Sequence, residues 1–290
     1  MLKCIWSVIK IKAVIFYFSG TGNTWWVANQ IEEKLTQNGI ETKKYSIESE
    51  VVSDNKKVQS LIEEASIVGF GYPIFGSDIP LTFIDFIESL SKNKGKHAFV
   101  FTTMMYFSGD GALVAARKLR MKGFKVKQAT NIRMPNNVKL PYPIIRSFPM
   151  SSEKGITKLK EKASKKVDKL IKKIVEGKRW LQGWDPINVS GGLMQRVPMK
   201  LIGWTRWARN YFVEKETCTE CMLCVEFCPT NNIRFENEEF IWGDDCNICL
   251  RCYNLCPEDA IQFKEATLNK KKYPRYKGPG NGFNQNKLKE

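Results

Sequence analysis

The first 175 residues alternate short apolar runs with stretches in which apolar residues recur every three or four positions. Residues 13–18 form a continuous apolar run, which predicts a strand buried on both faces. Val27, Ile31 and Leu35 then fall on one face of a predicted helix that stops at Asn38-Gly39. An apolar strand followed by an amphipathic helix is the repeating unit of an α/β sheet.

The same alternation continues toward residue 175. Further strands are predicted at residues 66–71, 98–103 and 125–133, and helices at residues 56–65, 80–90, 112–122 and 156–175. Residues 125–133 would be the fifth strand. The pattern predicts an α/β fold with a doubly wound, five-stranded parallel sheet in the order 2-1-3-4-5, and such sheets bind ligands at the carboxyl ends of their strands.

A loop rich in glycine and hydroxyl groups joins the first predicted strand to the first helix. Backbone N–H groups at a helix N-terminus and nearby hydroxyls can donate to phosphate oxygens without a cationic side chain. The loop lacks the lysine of a P-loop and has Trp25 where a dinucleotide fingerprint needs a third glycine. We therefore predict a phosphate cradle formed by Ser19, Thr21, Gly22, Asn23 and Thr24.

Two other loops follow predicted strands at the same edge of the sheet, at residues 72–76 and 104–111. Aromatic side chains in them can cover a flat ring, and glycines let backbone groups approach its edge. Any single aromatic residue here is equally consistent with a place in the core. The candidate ring contacts are Tyr72, Pro73, Ile74, Phe75, Gly76, Thr103, Met104, Tyr106, Phe107 and Gly109.

Eight of the nine cysteines repeat the spacing C-x2-C-x2-C-x3-C-P twice. This run is typical of bacterial-type ferredoxins with two [4Fe–4S] clusters, in which the fourth cysteine of each copy binds the other cluster. Disulfides would suit a small secreted domain, and structural zinc uses paired knuckles with four ligands, so we predict iron–sulfur clusters with zinc as the alternative. The first cluster would take Cys218, Cys221, Cys224 and Cys256, and the second Cys246, Cys249, Cys252 and Cys228.

The formal net charge of +16 is unevenly distributed. Residues 214–263 contain 11 acidic and three basic residues, a net charge of −8, so that the rest of the chain carries +24. This contrast predicts a first domain over residues 1–180, a linker over 181–213, a cluster domain over 214–263 and a basic, disordered tail over 264–290. Residues 1–18 resemble a signal peptide, but Lys10 and Lys12 interrupt them and no small-residue cleavage site follows.

In the linker we expect a break at Gly191-Gly192 and then a short helix from Pro198 to residue 213. Leu201, Trp204, Ala208 and Tyr211 would share its apolar face, with Arg206 and Arg209 nearby. Such a helix could rest on an anionic membrane, but we favour packing between the domains. No apolar stretch is long enough for a transmembrane segment, and thiolates need a reducing compartment, so the cytoplasm is predicted.

The two halves together resemble the flavodoxin–ferredoxin fusion proteins of anaerobic bacteria and archaea. The flavodoxin-like part covers about residues 12–178 and is carried by the loops at 19–24, 72–76 and 134–137, while the ferredoxin-like part covers residues 214–263. The resemblance implies a flavodoxin-like fold joined to a small α+β ferredoxin-like domain. It also implies FMN and two [4Fe–4S] clusters in an electron-transfer protein.

We expect the protein to pass electrons between FMN and the two clusters, and thereby to couple one-electron and two-electron redox partner proteins. An alternative is an FMN-dependent reductase of a small acceptor such as a quinone, fed through the clusters. The sequence indicates no catalytic acid or base, and whether the chain is a carrier or an oxidoreductase stays open. A remote alternative is a basic, zinc-containing nucleic-acid-binding protein, although no known binding fold is visible and we expect no nucleic-acid partner.

Overall fold

The computed structural model describes residues 11–203, 208–280 and 282–290, apart from the side chains of residues 144 and 202. Its strands are β1 (Lys12–Tyr17), β2 (Glu41–Ser46), β3 (Ile67–Pro73), β4 (His97–Met104), β5 (Lys125–Arg133), β6 (Trp180–Leu181), β7 (Tyr211–Val213), β8 (Ile233–Glu236), β9 (Glu239–Trp242) and β10 (Ile261–Phe263). Its α-helices are α1 (Asn23–Gln37), α2 (Glu50–Ser53), α3 (Asn55–Glu64), α4 (Leu81–Ser89), α5 (Gly111–Met121), α6 (Pro143–Ser147), α7 (Glu153–Val175), α8 (Pro186–Ile202), α9 (Leu223–Glu226) and α10 (Arg251–Leu255).

The larger sheet is parallel throughout and has the strand order β2-β1-β3-β4-β5-β6. The predicted order 2-1-3-4-5 is therefore confirmed, and the short strand β6 extends the sheet beyond β5. The order in which strands are added reverses at β1: β2 lies on one side of β1, and β3 with the later strands lies on the other. In doubly wound sheets this switch point forms the ligand crevice at the carboxyl ends of the strands.

Both faces of this sheet are covered by helices. Ile15 and Tyr17 of β1 pack with α1 and α7, while Val14 and Phe16 pack with α3, α4 and α5 on the opposite face. All four side chains are almost completely buried. The alternation explains why residues 13–18 are continuously apolar, since successive side chains of a buried parallel strand enter two different cores.

The cysteine-rich part forms a smaller α+β unit. β7 pairs with β10, and β8 with β9, in two antiparallel ribbons. Its two cysteine motifs repeat one backbone shape at an interval of 28 residues, the same interval that separates Cys218 from Cys246. The non-glycine residues with positive φ in the first motif are Glu220, Met222 and Asn231, and their equivalents in the second are Ile248, Leu250 and Asp259. Repeated left-handed residues are typical of a loop shaped around a ligand.

The linker differs from its prediction. The helix lies earlier than expected, as α8, with Gly191-Gly192 and Pro198 inside it, and Tyr211 belongs to a strand instead of a helix. The predicted positions Trp204 and Arg206 lie outside the described residues, as do residues 1–10. Of the predicted apolar face, Leu201 is 81% exposed, whereas Ala208 and Tyr211 are buried. Within the described ranges, no helix is both long and apolar enough to cross a membrane.

The prediction of a disordered tail is wrong for residues 264–280 and 282–290. Tyr273, Tyr276 and Leu288 are almost fully buried, and short 3-10 turns lie at Glu265–Leu268 and Gln285–Leu288. The hydroxyl of Ser46 in β2 donates to the carbonyl oxygen of Leu288 at 2.7 Å. The many basic residues of this segment made it resemble a disordered tail, although these three apolar side chains are buried. The segment leads from the cysteine-rich unit back to the larger sheet.

Candidate cofactor sites

The glycine- and hydroxyl-rich loop at residues 19–24, called the phosphate loop here after its predicted role, leads into the N-terminus of α1. No side chain caps this helix, so its first N–H groups remain directed at the space above the loop. Gly22 adopts a left-handed conformation with φ 97°, and its N–H donates to the hydroxyl of Ser19 at 3.1 Å. The hydroxyls of Thr24 and Thr103 are 2.8 Å apart, and both side chains are buried. This geometry fits the predicted phosphate cradle, in which only neutral groups would donate.

A cavity of about 360 Å³ opens above this cradle, a volume within the usual range of small-molecule sites. It brings together most of the predicted site residues from three loops at the carboxyl edge of the sheet. Those that line it are Ser19, Thr21, Asn23, Thr24, Pro73, Ile74, Phe75, Gly76, Thr103, Met104, Tyr106 and Phe107.

Three predicted site residues do not line the cavity. Tyr72 is fully buried and belongs to the core, and its hydroxyl donates to the carbonyl oxygen of Gly111 at 2.7 Å. Burial raises the pKa of this hydroxyl. The Cα of Gly22 is turned away from the cavity, because a Cβ added there would lie 2.6 Å from the ring of Phe283. Gly109 instead contacts α8, where a Cβ would lie 2.6 Å from the Cα of Gly192.

The sequence analysis did not identify the cavity residues that come from α8, from the second cysteine motif and from the segment after β5. Gln195 and Met199 come from α8, and residues 248–250 come from the second cysteine motif. Further lining residues come from the segment after β5, namely Val138, Leu140, Ile145 and Phe148. Their apolar character was visible, but no local pattern tied them to the phosphate loop, because the contacts depend on how the two halves pack.

The fold brings the eight motif cysteines to two small cavities. One is lined by Cys218, Cys221, Cys224 and Cys256 together with Cys252, and the other by Cys228, Cys246, Cys249 and Cys252, so each contains the four thiols of one predicted set. In each set the fourth thiol comes from the other motif. Both arrangements fit four-thiolate ligation of a [4Fe–4S] cluster.

Backbone donors support the sulfur atoms of both sets. The N–H of Asn232 donates to Cys228 Sγ, and that of Ala260 to Cys256 Sγ, each at 3.3 Å. Burial raises the pKa of the Cys246 thiol to about 11, so metal loading must displace its proton. Among the described residues, no group of three or more His, Cys, Asp or Glu side chains is arranged to hold a metal ion.

Arg251 lies between Cys249 and Cys252 and joins the two halves of the molecule. Its side chain is almost fully buried and donates to the carbonyl oxygens of Ser19 at 2.8 Å and Gly20 at 3.1 Å in the phosphate loop. The loop and the motif touch directly, since a Cβ on Gly20 would lie 2.6 Å from the carbonyl oxygen of Cys249. Cys249 therefore lines both the large cavity and the second thiol set.

Comparison with known proteins supports the cysteine-rich part directly. Residues 211–234 match the family model of the 4Fe-4S binding domain, which covers the first cysteine motif. No curated protein sequence matches this chain.

Several solved flavodoxins resemble the N-terminal part. An archaeal flavodoxin is 19% identical and matches over 56% of this chain and 99% of its own, with a TM-score of 0.38. A Megasphaera elsdenii flavodoxin is 25% identical over 53% of this chain and 98% of its own, with a TM-score of 0.37. Flavodoxin 2 from Bacillus cereus is 19% identical over 56% and 99%, with a TM-score of 0.39. The fold assignment itself follows from the strand order of the sheet.

The chain thus combines a flavodoxin-like doubly wound sheet with a ferredoxin-type 4Fe-4S motif. This combination of an iron–sulfur domain and a flavodoxin-like fold supports an electron-transfer role.

Proposed function

We propose that this protein transfers electrons between FMN, bound in the large cavity, and two [4Fe–4S] clusters held by the eight motif cysteines. The observation that carries the proposal is the position of Cys249, which belongs to both the cavity wall and the second thiol set. FMN exchanges two electrons and each cluster exchanges one, so the protein couples one-electron and two-electron partners. The uncapped N-terminus of α1 and the hydroxyls of Ser19 and Thr21 would hold the phosphate.

Two clusters are supported by the internal repeat. The second motif carries the same left-handed positions as the first, which is the part that matches the 4Fe-4S family. Cys252 contacts the cavities of both thiol sets, so the two sites adjoin. The sites form a series from the large cavity through Cys249 and Cys252 to Cys221, an exposed thiol in the first set. We infer that a redox partner protein docks beside Cys221.

An electron carrier is favoured over a reductase that acts on its substrate by acid–base chemistry. Among the described residues, no Asp, Glu, His, Lys or Arg side chain lines the large cavity. Such a wall can bind a flavin phosphate through neutral donors, but it offers no carboxylate, imidazole or amine for proton transfer. Because the thiolates must be reduced to bind iron, we place the protein in the cytoplasm.

The proposal is tested by the iron, sulfide, zinc and flavin content of protein purified without oxygen. We expect about eight irons, about eight sulfides and one FMN per chain. Anaerobic reduction by dithionite should then bleach the cluster and flavin absorption together. Iron without bound FMN after reconstitution would contradict the flavin site, and zinc without iron would contradict the redox function.

A further inference from the structure

Helix α8 presents large apolar side chains to the solvent. Ile187, Met194 and Leu201 are 79%, 77% and 81% exposed, and because they recur every seven residues they lie on one face. Leu193 and Val197 lie beside them and are about half exposed. An exposed apolar surface of this extent is typical of a binding site for another surface.

The opposite side of α8 buries a charged residue. Arg196 is 8% exposed and forms an ion pair with the fully buried Asp110, and it also donates to the carbonyl oxygen of Ser77 at 2.8 Å. The hydroxyl of Ser77 donates to the side-chain oxygen of Gln195 at 2.6 Å. The amphipathicity of α8 is therefore inverted with respect to a helix that packs on an apolar core. Rotation that buried the apolar face would expose or break this ion pair.

The charge around this face selects among possible occupants. Residues 186–203 and 208–213 contain Arg196, Lys200 and Arg209, and acidic residues flank them at Asp185, the N-cap of α8, and Glu214. Lys200 and Arg209 form ion pairs with Asp78 and Asp244, yet their side chains are 68% and 73% exposed, so both cations remain accessible. Trp184, just before α8, is 73% exposed. The formal net charge of the whole chain is +16, which disfavours a second copy and favours an anionic surface.

We propose that α8 docks on a membrane surface containing anionic phospholipid. Its apolar face would enter the boundary between head groups and acyl chains, while Lys200 and Arg209 meet the head groups and Trp184 lies at the interface. This proposal concerns where the protein works and does not depend on the cofactors. Because Gln195 and Met199 also line the large cavity, docking would hold that cavity beside the bilayer.

The test is flotation of the full-length protein with vesicles of phosphatidylcholine alone or with about a third phosphatidylglycerol. We expect binding to the anionic vesicles that weakens with added salt, since the lysine and arginine contribution is screened. The double variant Met194→Glu with Leu201→Glu should reduce the bound fraction about tenfold, because two carboxylates would have to leave water.

The matched control is Met121→Glu with Leu268→Glu, which adds the same charge at exposed apolar positions outside α8. It should lose far less binding, and circular dichroism should confirm that both variants are folded. No binding to anionic vesicles, equal binding to neutral ones, or equal losses in the two double variants would overturn the proposal. A dimer in light scattering that only the α8 variant dissociates would overturn it in favour of self-association.

Discussion

Arg251 and Glu48 form a bidentate ion pair across the junction of the two halves, with both N···O distances at 2.7 Å. Arg251 comes from the second cysteine motif, and Glu48 lies just after β2 of the larger sheet. The same guanidinium also donates to three carbonyl oxygens, those of Ser19, Gly20 and Phe227. A single side chain thus links the phosphate loop, both cysteine motifs and the sheet.

Removal of Glu48 should weaken this junction without changing either cysteine motif. Glu48→Leu leaves Arg251 as a buried cation without its carboxylate, which should cost about 3 kcal/mol and lower the thermal midpoint by roughly 6–12 °C. The measurement is anaerobic thermal unfolding. In the control, Glu236→Leu removes an ion pair with Arg234 whose side chains are more than half exposed, and should cost less than about 1 kcal/mol. Equal shifts for the two variants would contradict a structural role for the pair.

Gly20→Ala should impair flavin binding. The added methyl group would meet the carbonyl oxygen of Cys249 at 2.6 Å, so the phosphate loop or the cysteine motif must move. Overpacking of this kind costs about 1–3 kcal/mol, which is at least a fivefold loss of FMN affinity if the loop moves. The FMN affinity is measured by fluorescence titration of flavin-free protein. Gly155→Ala, in the first turn of α7, should leave the affinity unchanged, and an unchanged affinity in Gly20→Ala would contradict the predicted contact.

Double cysteine variants distinguish crossed ligation from ligation within each motif. Cys218→Ala with Cys256→Ala removes two ligands of one predicted cluster and should leave about four of eight irons. Cys218→Ala with Cys228→Ala removes one ligand from each predicted cluster and should leave fewer irons. Iron analysis after anaerobic purification gives the result.

Cys4→Ser is the control for these variants, because Cys4 is the one cysteine of the sequence outside both motifs and its replacement should not affect iron content. Retention of about four irons only in the Cys218/Cys228 variant would instead mean that each motif binds its own cluster.

Phe283→Ala should loosen the back of the phosphate loop. The Phe283 ring lies 5.5 Å from the Trp25 ring and covers Gly22, so it supports the start of α1 from the side opposite the cavity. Loss of this half-buried ring should cost about 2 kcal/mol and lower the thermal midpoint by roughly 4–8 °C. Met121→Ala, at a side chain 73% exposed, should leave the midpoint nearly unchanged. No shift for Phe283→Ala would argue against packing of residues 282–290 on the loop.

The α/β core was predictable because its strands are buried on both faces and its helices on one. β5 spans the predicted residues 125–133, and the predicted helix at residues 112–122 lies within one residue of α5. β2 could not be located from its sequence, since Lys43 and Lys44 give this edge strand a polar character. The crossed cysteine sets follow from the ligation known for this ferredoxin-type spacing, and they stay a prediction.

The junction was not predictable, although Arg251 carried a signal. It is one of only three basic residues in residues 214–263, and it lies between two predicted cluster ligands. Its partners in the larger unit, Glu48 and Ser19, come from loops more than 200 positions away, so no local periodicity could identify them. α8 misled the prediction because Gly191 and Gly192 resemble a break, whereas they lie inside the helix and let it approach Phe107 and Asp110 closely.

The packing of residues 282–290 against β2 and the phosphate loop has a consequence for biosynthesis. A ribosome completes both cysteine motifs before it makes this segment, so the start of α1 and the edge at Ser46 emerge without their final cover. During that interval Trp25 and the loop at residues 19–24 lack the cover that Phe283 gives them. The larger sheet is therefore among the last parts of the described molecule to be closed, although it is made first.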